Sequence, residues 1–366
     1  MKLSILMSSF GDGGVERMVV NTATGLARRG VNIRFLVDNA EGPYLDHLDE
    51  RIQREPLPAG SAGRLARLAE HLRADHPDVL LVAKAPDARL ALRARQWARV
   101  HTPLVMRPGT TVSARVRGLG GRWKLLRLAR LYRRADAIIA NSAGVREDIA
   151  EVAGVPRTRI HLVRNPVITP ELENLAREPV SHRWFDHHQV PVIIGAGGLR
   201  QQKDFSTLIR AFGRLRERRV ARLLILGRGR QEQRLRELVA QLGLEDDVEL
   251  AGFVANPYPW LANSDLFALS SRWEGSPNVL TEALALGTPA VSTDCRSGPR
   301  EILADGRYGP LVPVGDAVAL ADAMEKVLTD PPASEMLISA TEEYTQERNA
   351  EHYHHILSAL SERRDG

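Results

Sequence analysis

The sequence predicts an α/β protein made of two Rossmann-like, doubly wound halves. Short apolar runs alternate with longer amphipathic stretches, and this alternation occurs twice, on either side of a polar segment at 169–189. The length of 366 residues also exceeds what one hydrophobic core usually organises. Sheets built this way bind ligands beyond the carboxyl ends of their strands, so function is expected there, in a cleft between the two halves.

In the first half, strands are predicted at 3–7, 33–37, 79–83, 104–107, 137–141 and 160–163, where apolar residues run together. Helices are predicted at 16–29, 63–74, 87–100, 122–134 and 144–152 from their apolar periodicity. Asn165-Pro166 ends this unit, giving a first domain over 1–168. The stretch 169–189, with Trp184-Phe185-Asp186-His187-His188, reads as the inter-domain linker. A second domain over 190–345 carries strands at 192–196, 223–226, 248–250, 266–269 and 290–293. Its helices fall at 205–218, 232–242, 257–262, 278–286 and 316–329. Residues 334–361 read as helical.

Composition narrows the function class. No apolar run approaches the roughly 20 residues needed to span a bilayer, and MKLSILMSSF is too short for a signal-peptide core and reads as a first strand. Cys295 is the only cysteine, which excludes an intrachain disulfide and a cysteine-based zinc site and predicts a cytoplasmic protein. Arg107, Arg115, Arg117, Arg122, Lys124, Arg127, Arg130, Arg133 and Arg134 fall in one stretch without an acid. Interleaved Leu119, Trp123, Leu125, Leu126, Leu128 and Leu131 make its second half a basic amphipathic helix, suited to an anionic membrane surface. The blander reading is a solvated arginine face. The absence of aromatic stacking strips and of a recognised module argues against a nucleic-acid partner.

The run 270–302 carries the most chemistry. Ser276 is expected as a helix N-cap with Pro277 at the first helical position, and Gly287 as the stop. Glu274 then sits on the loop feeding the helix and Glu282 on its second turn. Between them the amides of Asn278, Val279 and Leu280 offer an anion site. Two carboxylates flanking a phosphate-sized positive end suit a nucleotide-sugar. Gly11-Asp12-Gly13-Gly14 after the first strand, and Gly197-Gly198-Leu199-Arg200-Gln201-Gln202-Lys203 after the first strand of the second half, are further strand–helix turns open to anions. There is no Asp-x-Asp triplet, and His182, His187, His188, His352, His354 and His355 lack metal-ligand spacing, so no metal is expected.

From GDGGVERMVVNTATGLARRG at the start, through Glu274…Glu282 with Gly-Thr-Pro-Ala-Val, to DCRSGPREIL, the chain resembles retaining glycosyltransferases of family four, which have the GT-B fold. The last run resembles the subgroup that adds hexoses or N-acetylhexosamines to cell-envelope glycans. The resemblance implies a UDP-sugar donor as co-substrate, no cofactor, and a glycan acceptor, lipid-linked, at the inner face of the membrane. It implies that Glu274 holds a donor-sugar hydroxyl and Glu282 the ribose, with Ser276, Asn278, Val279 and Leu280 around the diphosphate and the backbone of Gly13 and Gly14 at the donor's diphosphate or sugar. Phe253 and Val254 would meet the uracil edge. Lys203 matches the family's phosphate-binding lysine, whereas Gly198 stands where relatives carry an arginine. Arg200, two residues on, is the candidate replacement. Glu16, Lys84 and Arg107 are acceptor-side candidates. His101 precedes its strand instead of following it, so no first-domain base is named. The resemblance also has the last helix, 346–366, cross back to the first domain. The rival readings are a UDP-sugar epimerase of the same fold and a non-catalytic nucleotide or nucleic-acid binding protein.

Overall fold

The computed structural model describes residues 1–365 apart from 12, 40, 43, 46–47, 114–117 and 187–189; the side chains of 118, 119, 122 and 363–365 also fall outside the description. Asp12, Arg115, Arg117, His187 and His188 therefore lie outside the described residues, as do the side chains of Leu119 and Arg122. The chain forms two compact units, Met1–Val167 with Tyr344–Gly366, and Ile168–Glu343.

In the first unit the order is β1 (Lys2–Ser9), α1 (Gly14–Arg28), β2 (Asn32–Asn39), β3 (Gln53–Pro56), α2 (Ser61–Ala74), β4 (Val79–Val82) and α3 (Ala85–Ala98). There follow β5 (Leu104–Met106), α4 (Gly118–Arg133), β6 (Ala137–Ala140), α5 (Ala143–Ala153) and β7 (Ile160–Leu162). The seven strands are parallel in the order β3-β2-β1-β4-β5-β6-β7. Alternation along β1 sorts its side chains between two cores: Leu3, Ile5 and Met7 join the α1 side, and Leu6 joins the α2–α5 side.

The second unit runs α6 (Leu172–Ala176), α7 (Arg183–Asp186), β8 (Val192–Ala196), α8 (Phe205–Arg216), β9 (Arg222–Leu226), α9 (Glu232–Gln241), β10 (Val248–Gly252) and α10 (Tyr258–Ala262). It continues with β11 (Leu266–Leu269), α11 (Asn278–Ala285), β12 (Ala290–Thr293), α12 (Pro299–Ile302), β13 (Leu311–Val312), α13 (Ala317–Thr329) and α14 (Ser334–Ser339). Its strands are parallel in the order β10-β9-β8-β11-β12-β13. In both sheets the strand order reverses next to the first strand, at β1/β4 and at β8/β11. Loops leaving the two strands diverge there and open a crevice.

Three expectations need correction. β3 and β13 were not predicted. Both are edge strands, and the largely exposed Gln-Arg-Glu-Pro of β3 shows none of the apolar run that marks a covered strand. Residues 169–189 were expected as a linker, but the described part is packed into the second unit. Asn256 Nδ2 donates to Leu175 O and Glu178 Oε2, both at 2.8 Å, and His182, Phe185 and Trp260 pack ring against ring. The helix expected over 334–361 is two: α14, and α15 (Gln346–Asp365), which belongs to the first unit.

α15 lies along α1. Gln346 Nε2 donates to Asn21 O at 2.9 Å and its Oε1 accepts from Arg28. A Cβ on Gly25 would come within 2.9 Å of Ala350 Cβ, so the glycine permits the close approach. Tyr353 is buried in the same core, with its hydroxyl on the Arg107 side chain. Tyr353→Ala should destabilise the first unit by about 3–5 kcal/mol and Tyr353→Phe by about 1–2 kcal/mol. Urea denaturation followed by a probe in each unit checks this, since the transition of the second unit should stay in place.

Candidate functional site

The switch point of the second sheet brings two loops together. Gly197–Lys203 follow β8 and Ser270–Glu274 follow β11, the strand beside it. Lys203 Nζ pairs with Glu274 Oε1 at 2.7 Å, and Ser271 Oγ donates to the same oxygen at 2.7 Å. Gln202 Nε2 lies 3.4 Å from Glu274 Oε2 and donates to Trp273 O at 2.9 Å. Glu274 is buried at 6% exposure, yet its negative charge is matched by one cation and its oxygens accept defined hydrogen bonds. A lysine and a carboxylate presented together can neutralise a phosphate and accept from a hydroxyl.

Arg200 is exposed, and its side chain folds back over Gly198, where an added Cβ would meet Arg200 Nε at 3.3 Å. The backbone N–H of Lys203 donates to Arg200 O at 3.0 Å, closing the loop between them. Phe253 follows β10 with its ring 42% exposed, and the Arg228 guanidinium lies 4.9 Å from the ring centroid; Val254 is half-buried beside it.

The start of α11 differs from expectation. Asn278 is the first helical residue and Pro277 the cap, with no side-chain cap bond. Ser276 is therefore not the N-cap, and its buried Oγ has no hydrogen-bond partner among the described residues. The Leu280 amide, expected to be available to an anion, donates to Pro277 O at 3.1 Å, which leaves 278 and 279 as the first-turn positions to consider. Glu282, expected to hold the ribose, is only 1% exposed, in a stretch of α11 that is buried from Leu280 to Leu284. Gly287 ends the helix as predicted, at φ +75°.

The first unit repeats the arrangement at its own switch point. Glu16, in the first turn after β1, and Lys84, directly after β4, form an ion pair. Gly13 caps α1 with Gly14 as the first helical residue, and a Cβ on Gly13 would fall 2.3 Å from Glu16 Oε2, so a side chain there would shift this carboxylate. Arg107 is a correction. It is 4% exposed and turned inward, donating to Asn165 Oδ1 at 2.5 Å and meeting Tyr353 of α15, so it ties elements together and does not present a charge outward.

Among the described residues, Glu55, His71 and Asp75 form the one group with metal-ligand donors in reach of one another. Arg34 Nη1 lies 2.6 Å from Asp75 and Arg67 Nη2 2.8 Å from Glu55, so both carboxylates already face guanidinium charge. Burial lowers the affinity of His71 for a proton, and Ser4 Oγ lies 2.8 Å from its Nε2. The geometry describes a partly exposed ion network around buried His71, made by residues of β2, β3 and α2.

The sequence reading missed Gln202, Asp204, Ser270, Ser271 and Arg272, which join the two loops. A Ser-Ser pair directly after an apolar strand was the available signal, since polar groups buried at a strand end need partners.

Residues 12–171 match the family model described as Glycosyltransferase Family 4, and residues 190–330 match that described as Glycosyl transferases group 1. The chain is 36% identical over 188 residues to an uncharacterized glycosyltransferase of Methanocaldococcus jannaschii, covering 51% of this chain and 46% of that protein. It is 30% identical over 350 residues, 90% of each chain, to N-acetylgalactosamine-N,N'-diacetylbacillosaminyl-diphospho-undecaprenol 4-alpha-N-acetylgalactosaminyltransferase of Campylobacter jejuni. A lipopolysaccharide core biosynthesis glycosyltransferase of Rhizobium meliloti is 29% identical over 87% of this chain and 86% of its own. Among solved structures, Anabaena HepE in complex with UDP and glucose superposes with a TM-score of 0.82 at 21% identity, over 98% of this chain and 100% of that one. The apo lipopolysaccharide outer core galactosyltransferase WaaB gives 0.74 at 20% identity, over 98% and 99%. This likeness establishes the fold as GT-B.

Cys295 is buried beside this site, and burial, reinforced by the Glu274 charge, pushes its thiol up to about 12 despite the opposing Lys203 charge. The thiolate is the reactive form, so native protein should not be labelled by Ellman's reagent at pH 8 and should be labelled at once in urea. Rapid labelling of the native protein would show that the loop opens.

Proposed function

Because the chain belongs to glycosyltransferase family 4, we propose that it is a retaining, metal-independent transferase. In this reading it moves a hexose or N-acetylhexosamine from a UDP-sugar to a lipid-linked glycan in cell-envelope polysaccharide synthesis. The observation that carries the site assignment is the Lys203–Glu274 pair at the β8/β11 switch point. The donor reading is supported by the solved structures whose descriptions include UDP and UDP-glucose, and the acceptor reading by the Campylobacter relative, whose name specifies a diphospho-undecaprenol substrate.

The chemistry follows from charge. Breaking the sugar–phosphate bond leaves negative charge on the diphosphate and positive character on the sugar ring. Lys203 sits where the first can be neutralised, and Arg200, lying over Gly198, supplies a second cation from the position the family arginine vacates. Glu274 orients the ring through a hydroxyl. The acceptor hydroxyl attacks from the face the diphosphate leaves, and the departing phosphate oxygen takes its proton, so the configuration is retained without a side-chain base. Glu16 and Lys84, with the backbone at Gly13 and Gly14, are the groups of the first unit assigned to substrate.

A membrane-surface location is supported by α4, which exposes Trp123 at 72% and Leu126 at 55% among exposed Lys124, Arg127, Arg130 and Arg133. No helix among the described residues is long and apolar enough to cross a membrane.

Hydrolysis of UDP-glucose, UDP-galactose and the two UDP-N-acetylhexosamines in EDTA tests the reaction. One donor should turn over with retention at the anomeric carbon by NMR, and Lys203→Ala should lower its kcat about 100-fold or more. Activity lost in EDTA and restored by manganese would overturn metal independence. Vesicle co-sedimentation tests the location. Wild type should bind anionic and not zwitterionic vesicles, and Arg127→Glu/Arg130→Glu/Arg134→Glu should lose that binding with UDP affinity unchanged. Indifference of the wild type to anionic vesicles at low salt would leave these arginines a solvated face.

A further inference from the structure

We infer that Asp204, held by Arg272, is a positioning residue that sets the direction of Lys203; this rests on the reading of Lys203 as the diphosphate-binding cation. Asp204 is the residue after Lys203, and its backbone is left-handed at φ +47°, a conformation that side chains other than glycine adopt at a cost. Such strain persists only where surrounding contacts over-determine it. Here they do. The buried carboxylate pairs its Oδ2 with Arg272 Nε as an ion pair at 2.9 Å and accepts from Thr207 Oγ1 at 2.9 Å through the same oxygen, and the residue is 5% exposed.

The contact belongs to a short zipper between the two loops. The Arg272 N–H donates to Gln202 O at 2.7 Å, Ser270 Oγ donates to Lys203 O at 2.8 Å, and Gln202 Nε2 donates to Trp273 O at 2.9 Å. Three consecutive residues, 202–204, are thus each tied to the loop that carries Glu274. The left-handed turn at 204 sends the chain into α8 while leaving Lys203 on the Glu274 side. A lysine stem has four rotatable bonds, so its ammonium finds a phosphate reliably only if its Cα–Cβ direction is fixed. Asp204 and Arg272 fix it without needing to touch the ligand. A glycine at 204 would adopt the same φ freely, so the presence of aspartate points to the carboxylate as the required feature.

Calorimetry with UDP in EDTA separates the possibilities. Asp204→Asn tolerates the left-handed backbone and removes the charge, and Asp204→Gly relieves the strain and removes the carboxylate; each should weaken UDP binding about five- to tenfold. Arg272→Ala should do the same, and its half-exposed side chain keeps the test available if a 204 variant fails to fold. The decisive readout is the cycle with Lys203→Ala. In that background Asp204→Asn should cost nothing further, whereas a general structural defect would still lower affinity. Full UDP affinity in Asp204→Asn and Arg272→Ala, with Lys203→Ala impaired, would overturn the positioning role alone. Additive losses would do so as well. Full UDP affinity in Lys203→Ala would instead overturn the reading on which it rests.

Discussion

The reversal of strand order in each parallel sheet is the constraint from which both candidate sites follow. At β1/β4 and at β8/β11, neighbouring strands hand their chains to helices that leave in opposite directions, so the loops between them have no helix above. Polar groups placed on those loops meet each other because the strands are adjacent, however far apart they lie in sequence. Glu16 meets Lys84, and Lys203 meets Glu274, in the same topological position of two different sheets. The hydrophobic cores below hold the strand ends still and thereby set these distances.

An ion pair in such a place has to offset its own desolvation. Glu274 does so by collecting Lys203, Ser271 and Gln202, so that neither oxygen faces apolar surroundings alone. Glu16 uses the missing Cβ of Gly13 to reach its partner across the start of its own helix.

How legible this was depended on burial. Central strands such as 79–82 and 192–196 are covered on both faces and show as apolar runs, and Gly287 shows as a stop because its φ requires glycine. β3 is a largely exposed Gln-Arg-Glu-Pro and β13 only two residues long, so neither shows such a run, unlike the edge strands β7 and β10. Short polar segments that pack through a few aromatic rings, as at 182–185, look like linkers. Within the site, Lys203 and Glu274 stood out as residue types in a motif. The inward turn of Arg107, the burial of Glu282 and the Leu280–Pro277 bond did not, because which way a polar group points depends on partners distant in sequence, such as Tyr353 for Arg107. Asp204 was hidden by its ordinary appearance as a residue before a helix; its φ is a property of the assembled loops.

The docking of α15 on α1 bears on how the chain comes off the ribosome. The unit Ile168–Glu343 is one uninterrupted stretch and can close its core as soon as it has emerged. The other unit has Met1–Val167 on the N-terminal side of that stretch but includes Tyr353, Ile356 and Leu357 in its core. At translation speeds of about 5–20 residues per second, its α1 face, complete at Arg28, waits roughly 15–65 s for them, a wait that includes synthesis of the intervening unit. The unit whose strands are made before Ile168 is therefore finished after the one that follows it, and its apolar α1 face is the surface that a nascent-chain chaperone would meet.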